Sequence, residues 1–275
     1  MNPRSAELSE WEGHSIVHWE QVWRVPELTI LSVTASTNDV ARLRARAGAA
    51  EGTVVIADEQ TAGRGRSART WVAPAGAGLL LSVVLRVDGG LPGSGDPGPA
   101  PIRVGFATAA ALRAVTGLDV RIKWPNDIVL AGKGKLGGIL CEAATRRGVT
   151  QVIAGIGINV HQRPGDFPTE LRPTAASLHT AGVPEPDRAR IAGALLDRLR
   201  PFRLPGGPLD EELLAAWHDL DALAGRQVSV DGAPAGTAHG IASDGSLRIR
   251  GSDGLRTVRS GTVRLDSAAT HHGDA

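Results

Sequence analysis

Apolar and polar positions follow two periods along this chain, and the places where the period changes mark its elements. Residues 28–33 and 53–57 are short β-branched, apolar runs that predict strands. Ser36-Thr37-Asn38-Asp39 supplies polar caps ahead of Val40, Leu43 and Ala47, which predicts a helix start. Residues 78–87 form an almost unbroken apolar run, Leu79 to Leu85 with Ser82 inside it, and predict a buried strand. The Gly/Pro-loaded stretch 88–101 predicts a loop, and 102–115 returns to helical spacing through Val104, Ala107, Ala111 and Val115. Strands are predicted at 119–124, 128–130, 136–143 and 151–160, the middle two antiparallel around a Gly-rich turn. Helices are predicted at about 186–200 and 208–223.

From Arg226 the texture changes. Short strands at 227–230, 236–241, 247–250 and 255–259 are separated by Asp231-Gly232, Asp244-Gly245 and Asp253-Gly254, which are hairpin signals. The expectation is an α+β protein: an N-terminal extension (1–27), a mixed sheet with flanking helices (28–223), a small closed β-barrel (224–268) and a disordered tail (269–275). In the extension, Trp11, Trp19 and Trp23 fit neither period cleanly.

Composition narrows the chemistry. Thirty basic and 29 acidic residues leave a net charge of +1, so any attraction for anions must be local. The single cysteine, Cys141, rules out an internal disulfide framework and fits a reducing compartment. No apolar run reaches the roughly 18 residues of a membrane span. The first residues lack an apolar signal core. A cytoplasmic protein with no membrane partner is expected.

The densest chemistry lies in Gln60-Thr61-Ala62-Gly63-Arg64-Gly65-Arg66-Ser67-Ala68-Arg69-Thr70-Trp71, directly after a predicted strand. Glycine lets a ligand approach the main chain, and guanidinium forks match carboxylate and phosphate oxygens. By itself the run fits an anion-wrapping loop, a solvated Arg–Gly loop or an RNA-contacting segment. Gly132-x-Gly134-x-x-Gly137 matches a dinucleotide fingerprint by letters, but it leads into a predicted strand instead of opening a helix. No Walker A motif occurs. No cluster of metal-ligating residues is visible, and His161 and His179 are isolated in sequence.

Lys123-Trp124-Pro125-Asn126-Asp127, Lys135-Leu136-Gly137-Gly138-Ile139-Leu140, Gly155-Ile156-Gly157-Ile158-Asn159 and an upstream Ser36-Thr37-Asn38 accompany the Arg–Gly run in one order. In these motifs the chain resembles the biotin–protein ligases from about residue 28 to about 266. The resemblance implies a class II synthetase-like catalytic domain with an SH3-like C-terminal barrel. It also implies ATP-dependent formation of biotinyl-5′-AMP, then transfer of biotin to a lysine of a biotin carboxyl carrier protein. ATP with Mg²⁺ would be the cofactor. Homodimerisation is left open. Only 35 residues precede Ser36, too few for a helix-turn-helix domain, so no sequence-specific DNA binding is expected.

The resemblance also implies roles. Ser36, Thr37, Asn38 and Gln60 would bind the ureido end of biotin, with Gly63 allowing close approach. Arg64 and Lys135 would meet its carboxylate and the reacting phosphate. Arg66, Arg69, Trp71, Lys123, Asn126, Asp127 and Asn159 would serve ATP and the adenylate. Two roles stay open for Asp127: organising Mg²⁺ or phosphate, or accepting the acceptor lysine's proton. Capping remains an alternative for Ser36 and Thr37. A second ligand-closing loop would lie in 161–177. Lys133 reads as a solvated turn residue. A lipoate-type ligase of the same architecture is the rival function, and an RNA-binding module a more distant one.

Overall fold

A computed structural model describes residues 6–89, 96–146 and 149–265. The tail 269–275 lies outside the described residues, as does part of the predicted loop 88–101. The chain opens with a two-residue hairpin, β1 (Glu10–Trp11) and β2 (His14–Ser15), then α1 (Ile16–Trp23). The next elements are β3 (Leu28–Thr34), α2 (Thr37–Ala47), β4 (Val54–Gln60), β5 (Gly78–Asp88) and α3 (Ala100–Thr116). They are followed by β6 (Val120–Lys123), β7 (Asp127–Leu130), β8 (Gly134–Arg146), β9 (Val149–Asn159), α4 (Arg188–Leu199), β10 (Arg203–Pro205) and α5 (Glu211–Leu220).

Eight strands make one mixed sheet in the order β3-β4-β5-β9-β8-β7-β6, with β10 added alongside β5. β3 and β4 run parallel, as do β5 and β10; the remaining pairs are antiparallel. Strand alternation divides the apolar side chains between two faces. Val54, Ile56, Leu79, Leu81 and Val83 join the main core, which also takes in residues of α1, α3, α4 and α5. Val55, Ala57, Val84 and Ile153 form a smaller core with Ala41 and Val40 of α2. Trp11 and Trp23 are buried in the main core. Arg188 packs over Trp11 and donates to Glu12 and Asp58, which ties the N-terminal hairpin to β4 and α4.

The C-terminal unit corrects one expectation. β11 (Gln227–Val230), β12 (Ala233–Ile241), β13 (Leu247–Gly251), β14 (Gly254–Val258) and β15 (Val263–Leu265) form a five-stranded antiparallel sheet ordered β14-β13-β12-β11-β15. Among the described residues β14 and β15 stay at opposite edges, so the sheet is open and the SH3-like barrel does not form. A closed barrel needs each strand to give an inward apolar row. β14 is exposed over Gly254–Thr257, with Leu255 44% accessible, and β15 has only three residues. The first Asp-Gly turn occurs as read, with Asp231 and Gly232 both in positive φ, as a type I′ turn requires, whereas at the third signal Ser252 and Asp253 make the turn and Gly254 opens β14. Among the described residues no helix is long and apolar enough to cross a membrane.

Candidate active site

On the α2 side of the sheet the apolar surface gives way to nearly bare backbone. Residues directly opposite in neighbouring strands share a face. The register sets Val84, Ile153 and Glu142 in one row, Ser82, Gly155 and Leu140 in the next, and Leu80, Gly157 and Gly138 in a third. The third row continues to Asp127 of β7. Above this floor lies a cavity of about 1010 Å³. It is lined by all the predicted site residues except Gly63: Ser36, Thr37, Asn38, Gln60, Arg64, Arg66, Arg69, Trp71, Lys123, Asn126, Asp127, Lys135 and Asn159. Gly63 sits just behind, where a Cβ would come within 2.5 Å of the Trp71 carbonyl oxygen and 3.0 Å of Gln60 Nε2.

One end of the cavity is neutral and hydrogen-bonding. Gln60 Oε1 accepts from the Thr37 amide (2.8 Å) and the Thr37 hydroxyl (3.0 Å). Ser82 Oγ lies 2.7 Å from both Thr37 Oγ1 and Asn38 Oδ1. Asn38 is pressed against the sheet, and only glycine at 155 leaves it room, since a Cβ there would stand 2.3 Å from Asn38 Oδ1. Ser36 occupies the N-cap of α2, but its side chain makes no capping bond. The capping alternative therefore does not apply to it, and its buried hydroxyl lines the cavity.

The other end is cationic. Lys135 Nζ lies 2.6 Å from Asp127 Oδ1 and 5.7 Å from the Trp71 ring centroid. Lys123, Arg66, Arg69, Arg121, Arg226 and Arg264 line the same cavity, whereas Asp127 is its one lining carboxylate among the described residues. Burial pulls the Lys123 ammonium below its ordinary range; Asp127 opposes this, while Lys135, Arg264 and Arg69 add to it. Burial also lowers Arg66, again with Asp127 opposing and Arg69 adding. Such a surplus of cations repels itself and favours an anion. Arg226 and Arg264 come from the C-terminal segment and are absent from the motifs. Only the three-dimensional approach of that segment reveals them, as when Arg69 Nη2 donates to Thr262 Oγ1 at 2.8 Å.

The Arg–Gly run is itself a hairpin. Trp71 N donates to Gly63 O (2.9 Å) and Gly65 N to Arg69 O (2.7 Å), with Ser67 and Ala68 at the tip in positive φ. The two tip residues, unremarkable as letters, thus adopt a conformation that side chains disfavour. Trp71 lies flat on the glycine floor, and a Cβ at Gly157 would meet its ring at 2.7 Å. The indole Nε1 is buried with no partner.

Three further predicted residues are engaged with protein groups. Asn126 Nδ2 donates to Ile139 O (2.9 Å). Asn159 Nδ2 donates to Ala176 O (2.9 Å), and its Oδ1 accepts from Gln162. Arg64 lines the cavity, yet its guanidinium is taken up by Asp39. The segment 161–177 does form a wall through Phe167, Leu171 and Thr174, and the Lys135 amide donates to Thr174 O at 2.7 Å. Lys133 reaches Ala181 O (3.1 Å) away from Asp127. Cys141 is buried, which pushes its thiol pKa far up and leaves it inert.

The cavity of this mixed sheet therefore sets a neutral, hydrogen-bonding floor beside a cation-rich mouth, which suits a ligand with a neutral polar head and an anionic end. Comparison with known proteins agrees. The model of the biotin/lipoate A/B protein ligase family matches residues 30–159. The biotin–[acetyl-CoA-carboxylase] ligase of Mycobacterium tuberculosis is 38% identical over 224 residues, covering 81% of this chain and 80% of that protein. The bifunctional ligase/repressor BirA of Bacillus subtilis is 36% identical over 241 residues, 85% of this chain and 72% of that protein. A biotin protein ligase from Aquifex aeolicus, solved in complex with biotin and ATP, shares the fold. Its TM-score is 0.69 at 24% identity, over 88% of this chain and 100% of that one. The chain belongs to the biotin/lipoate A/B protein ligase family, among its biotin–protein ligases.

Proposed function

We infer that this protein uses ATP to convert biotin to biotinyl-5′-AMP and passes the biotinyl group to a lysine of a biotin carboxyl carrier protein. The observation that carries the reading is the single cavity whose neutral floor and cationic mouth meet at Lys135 and Asp127. A cyclic urea offers one carbonyl and two N–H groups, which Ser36, Thr37 and Gln60 can match. The acid tail would run along the cavity past the edge of Trp71 toward Lys135. In the first step a carboxylate oxygen attacks the α-phosphorus; an O–P bond forms, the bond to the β-phosphate oxygen breaks, and pyrophosphate leaves. Two anions must come together for this, and Lys135, Lys123, Arg66 and Arg69 would offset their repulsion.

In the second step the acceptor amine attacks the acyl carbon and AMP leaves. The amine's proton needs an acceptor, and Asp127, the carboxylate beside Lys135, would take it. No group of three or more metal-ligating side chains exists among the described residues. Mg²⁺ would therefore arrive as MgATP, held by phosphate oxygens with at most Asp127 from the protein. Trp71 Nε1 is a spare donor for the adenylate. The need for ATP suits a cytoplasmic setting. The test is to incubate the protein with MgATP, a biotin carrier domain and either biotin or lipoate. Biotin-dependent pyrophosphate release and a biotinylated carrier lysine are expected. Release with lipoate alone would transfer the assignment to the other branch of the family.

A further inference from the structure

The outer side of the Arg–Gly hairpin carries a four-charge cluster with no part in the chemistry above. Arg64 Nη1 and Nη2 donate to the two oxygens of Asp39 at 2.7 and 2.9 Å, a two-pronged pairing, and Nη2 lies 3.5 Å from Glu142 Oε2. Arg42 closes the ring, bonded to Asp39 and, at 3.3 Å, to Glu142 Oε1. Each carboxylate thus touches both guanidiniums, and the charges cancel two against two. We propose that Asp39 and Glu142 are positioning residues: they clasp the hairpin through Arg64 and so keep the acyl-adenylate in the cavity until the acceptor arrives. This rests on the ligase reading for its consequence, though not for its geometry.

Three observations support the clasp. First, it stands on a buried base. Glu142 Oε2 accepts from Asn38 Nδ2 at 2.7 Å, Asn38 Oδ1 accepts from Ser82, Ser82 is bonded to Thr37, and Thr37 donates to Gln60. The hairpin's anchor and the cavity's neutral floor therefore belong to one hydrogen-bonded chain. Second, Arg64 follows Gly63, whose carbonyl holds the Trp71 amide, and Gly63 has no free space toward Trp71. A shift of Arg64 would be passed directly to the indole over the glycine floor. Third, freeing Arg64 for a ligand would break two charge-assisted bonds. The cavity's cationic end already has Lys135, Lys123, Arg66 and Arg69 to meet an anion. Arg64 is an anchor, and it is the acids beneath it that make it one.

The test compares Asp39→Asn, Glu142→Gln and the charge-keeping Asp39→Glu. Hydrogen exchange at the Gly65 and Trp71 amides, both bonded within the hairpin, reads the clasp without any substrate. Exchange about tenfold faster is expected in Asp39→Asn, a smaller rise in Glu142→Gln, and a rate between wild type and Asp39→Asn in Asp39→Glu. With biotin and MgATP, escape of the adenylate to free amines should rise about tenfold in Asp39→Asn while single-turnover pyrophosphate formation stays within about threefold. Unchanged exchange in Asp39→Asn, unchanged escape, or exchange in Asp39→Glu as fast as in Asp39→Asn would each overturn the proposal. If wild type forms no adenylate, the ligase reading fails, and the amide exchange still decides whether the clasp exists.

Discussion

Lys135→Ala separates the chemistry of the site from its stability. Lys135 and Asp127 are 38% and 22% exposed and 2.6 Å apart, so water screens the pair. Its worth to folding is at most about 1 kcal/mol, a Tm change of about 2–4 °C for a chain of this size. In catalysis the same ammonium faces charge that builds as the acid oxygen closes on phosphorus. Deleting one fixed donor of this kind costs about 3–4 kcal/mol, or a factor of about 10²–10³ in rate. ATP–pyrophosphate exchange with biotin reads that loss, which should appear in kcat more than in KM because the contact matters most in the transition state. Lys135→Arg keeps the charge but spreads it over a plane and should recover only part of the rate. Normal exchange by Lys135→Ala would remove this residue from the mechanism. A collapse in Tm would show instead that the pair was structural.

Other consequences follow from backbone and burial. Replacing Ser67-Ala68 by Asn-Gly should relieve the positive-φ tip by about 1 kcal/mol and slow amide exchange at Gly65, whereas faster exchange would contradict the turn. Gly157→Ala should push the Trp71 indole off the floor, at a cost of about 1–3 kcal/mol. Weaker biotin binding and a red-shifted tryptophan emission would report it, and unchanged affinity would show that the indole does not shape the biotin site. Asp221 is buried, and burial raises its carboxyl pKa, with the Leu223 amide acting the other way. A raised acid binds its proton more tightly when folded, so its contribution to stability falls as pH rises past the unfolded value of 3.8. Urea midpoints of wild type should therefore decline relative to Asp221→Asn above that pH, and parallel curves would refute this.

Much of the mixed sheet was legible because its central strands are buried on both faces. The run Leu79–Leu85 leaves little else to be, and β9 is nearly as plain. β10 and β15 were not legible: three residues are too few to show a period, and both exist only because a longer neighbour pairs with them. The same limit misled the reading of the C-terminal unit. Its turn signals set the hairpins, but whether β14 meets β15 depends on side chains that β14 does not bury. α1 escaped notice because Trp19 and Trp23 are held by ring stacking as well as by the sheet. At the site, motif spacing singled out residues that do line one cavity. It could not say that Arg64 would be bound to Asp39, or that Arg264 would arrive from the far end of the chain.

The glycines explain why this cavity lies where it does. Along β9 the face beneath α2 carries Ile153, then Gly155, Gly157 and finally Asn159, and β8 opposite carries Glu142, Leu140 and Gly138. A side chain at 155 would evict Asn38, and one at 157 would evict Trp71. The sheet is continuous through these rows, so its rigidity is kept while its surface drops by the depth of a side chain. α2 covers the part of the face that still has apolar groups, and its first turn ends where the glycines begin. The helix start, the Arg–Gly hairpin and the Lys135 strand therefore converge on one depression because sheet register puts the missing side chains in adjacent rows. Shifting β8 against β9 by one residue would turn Gly138 and Glu142 to the opposite face. Floor and clasp would be lost together.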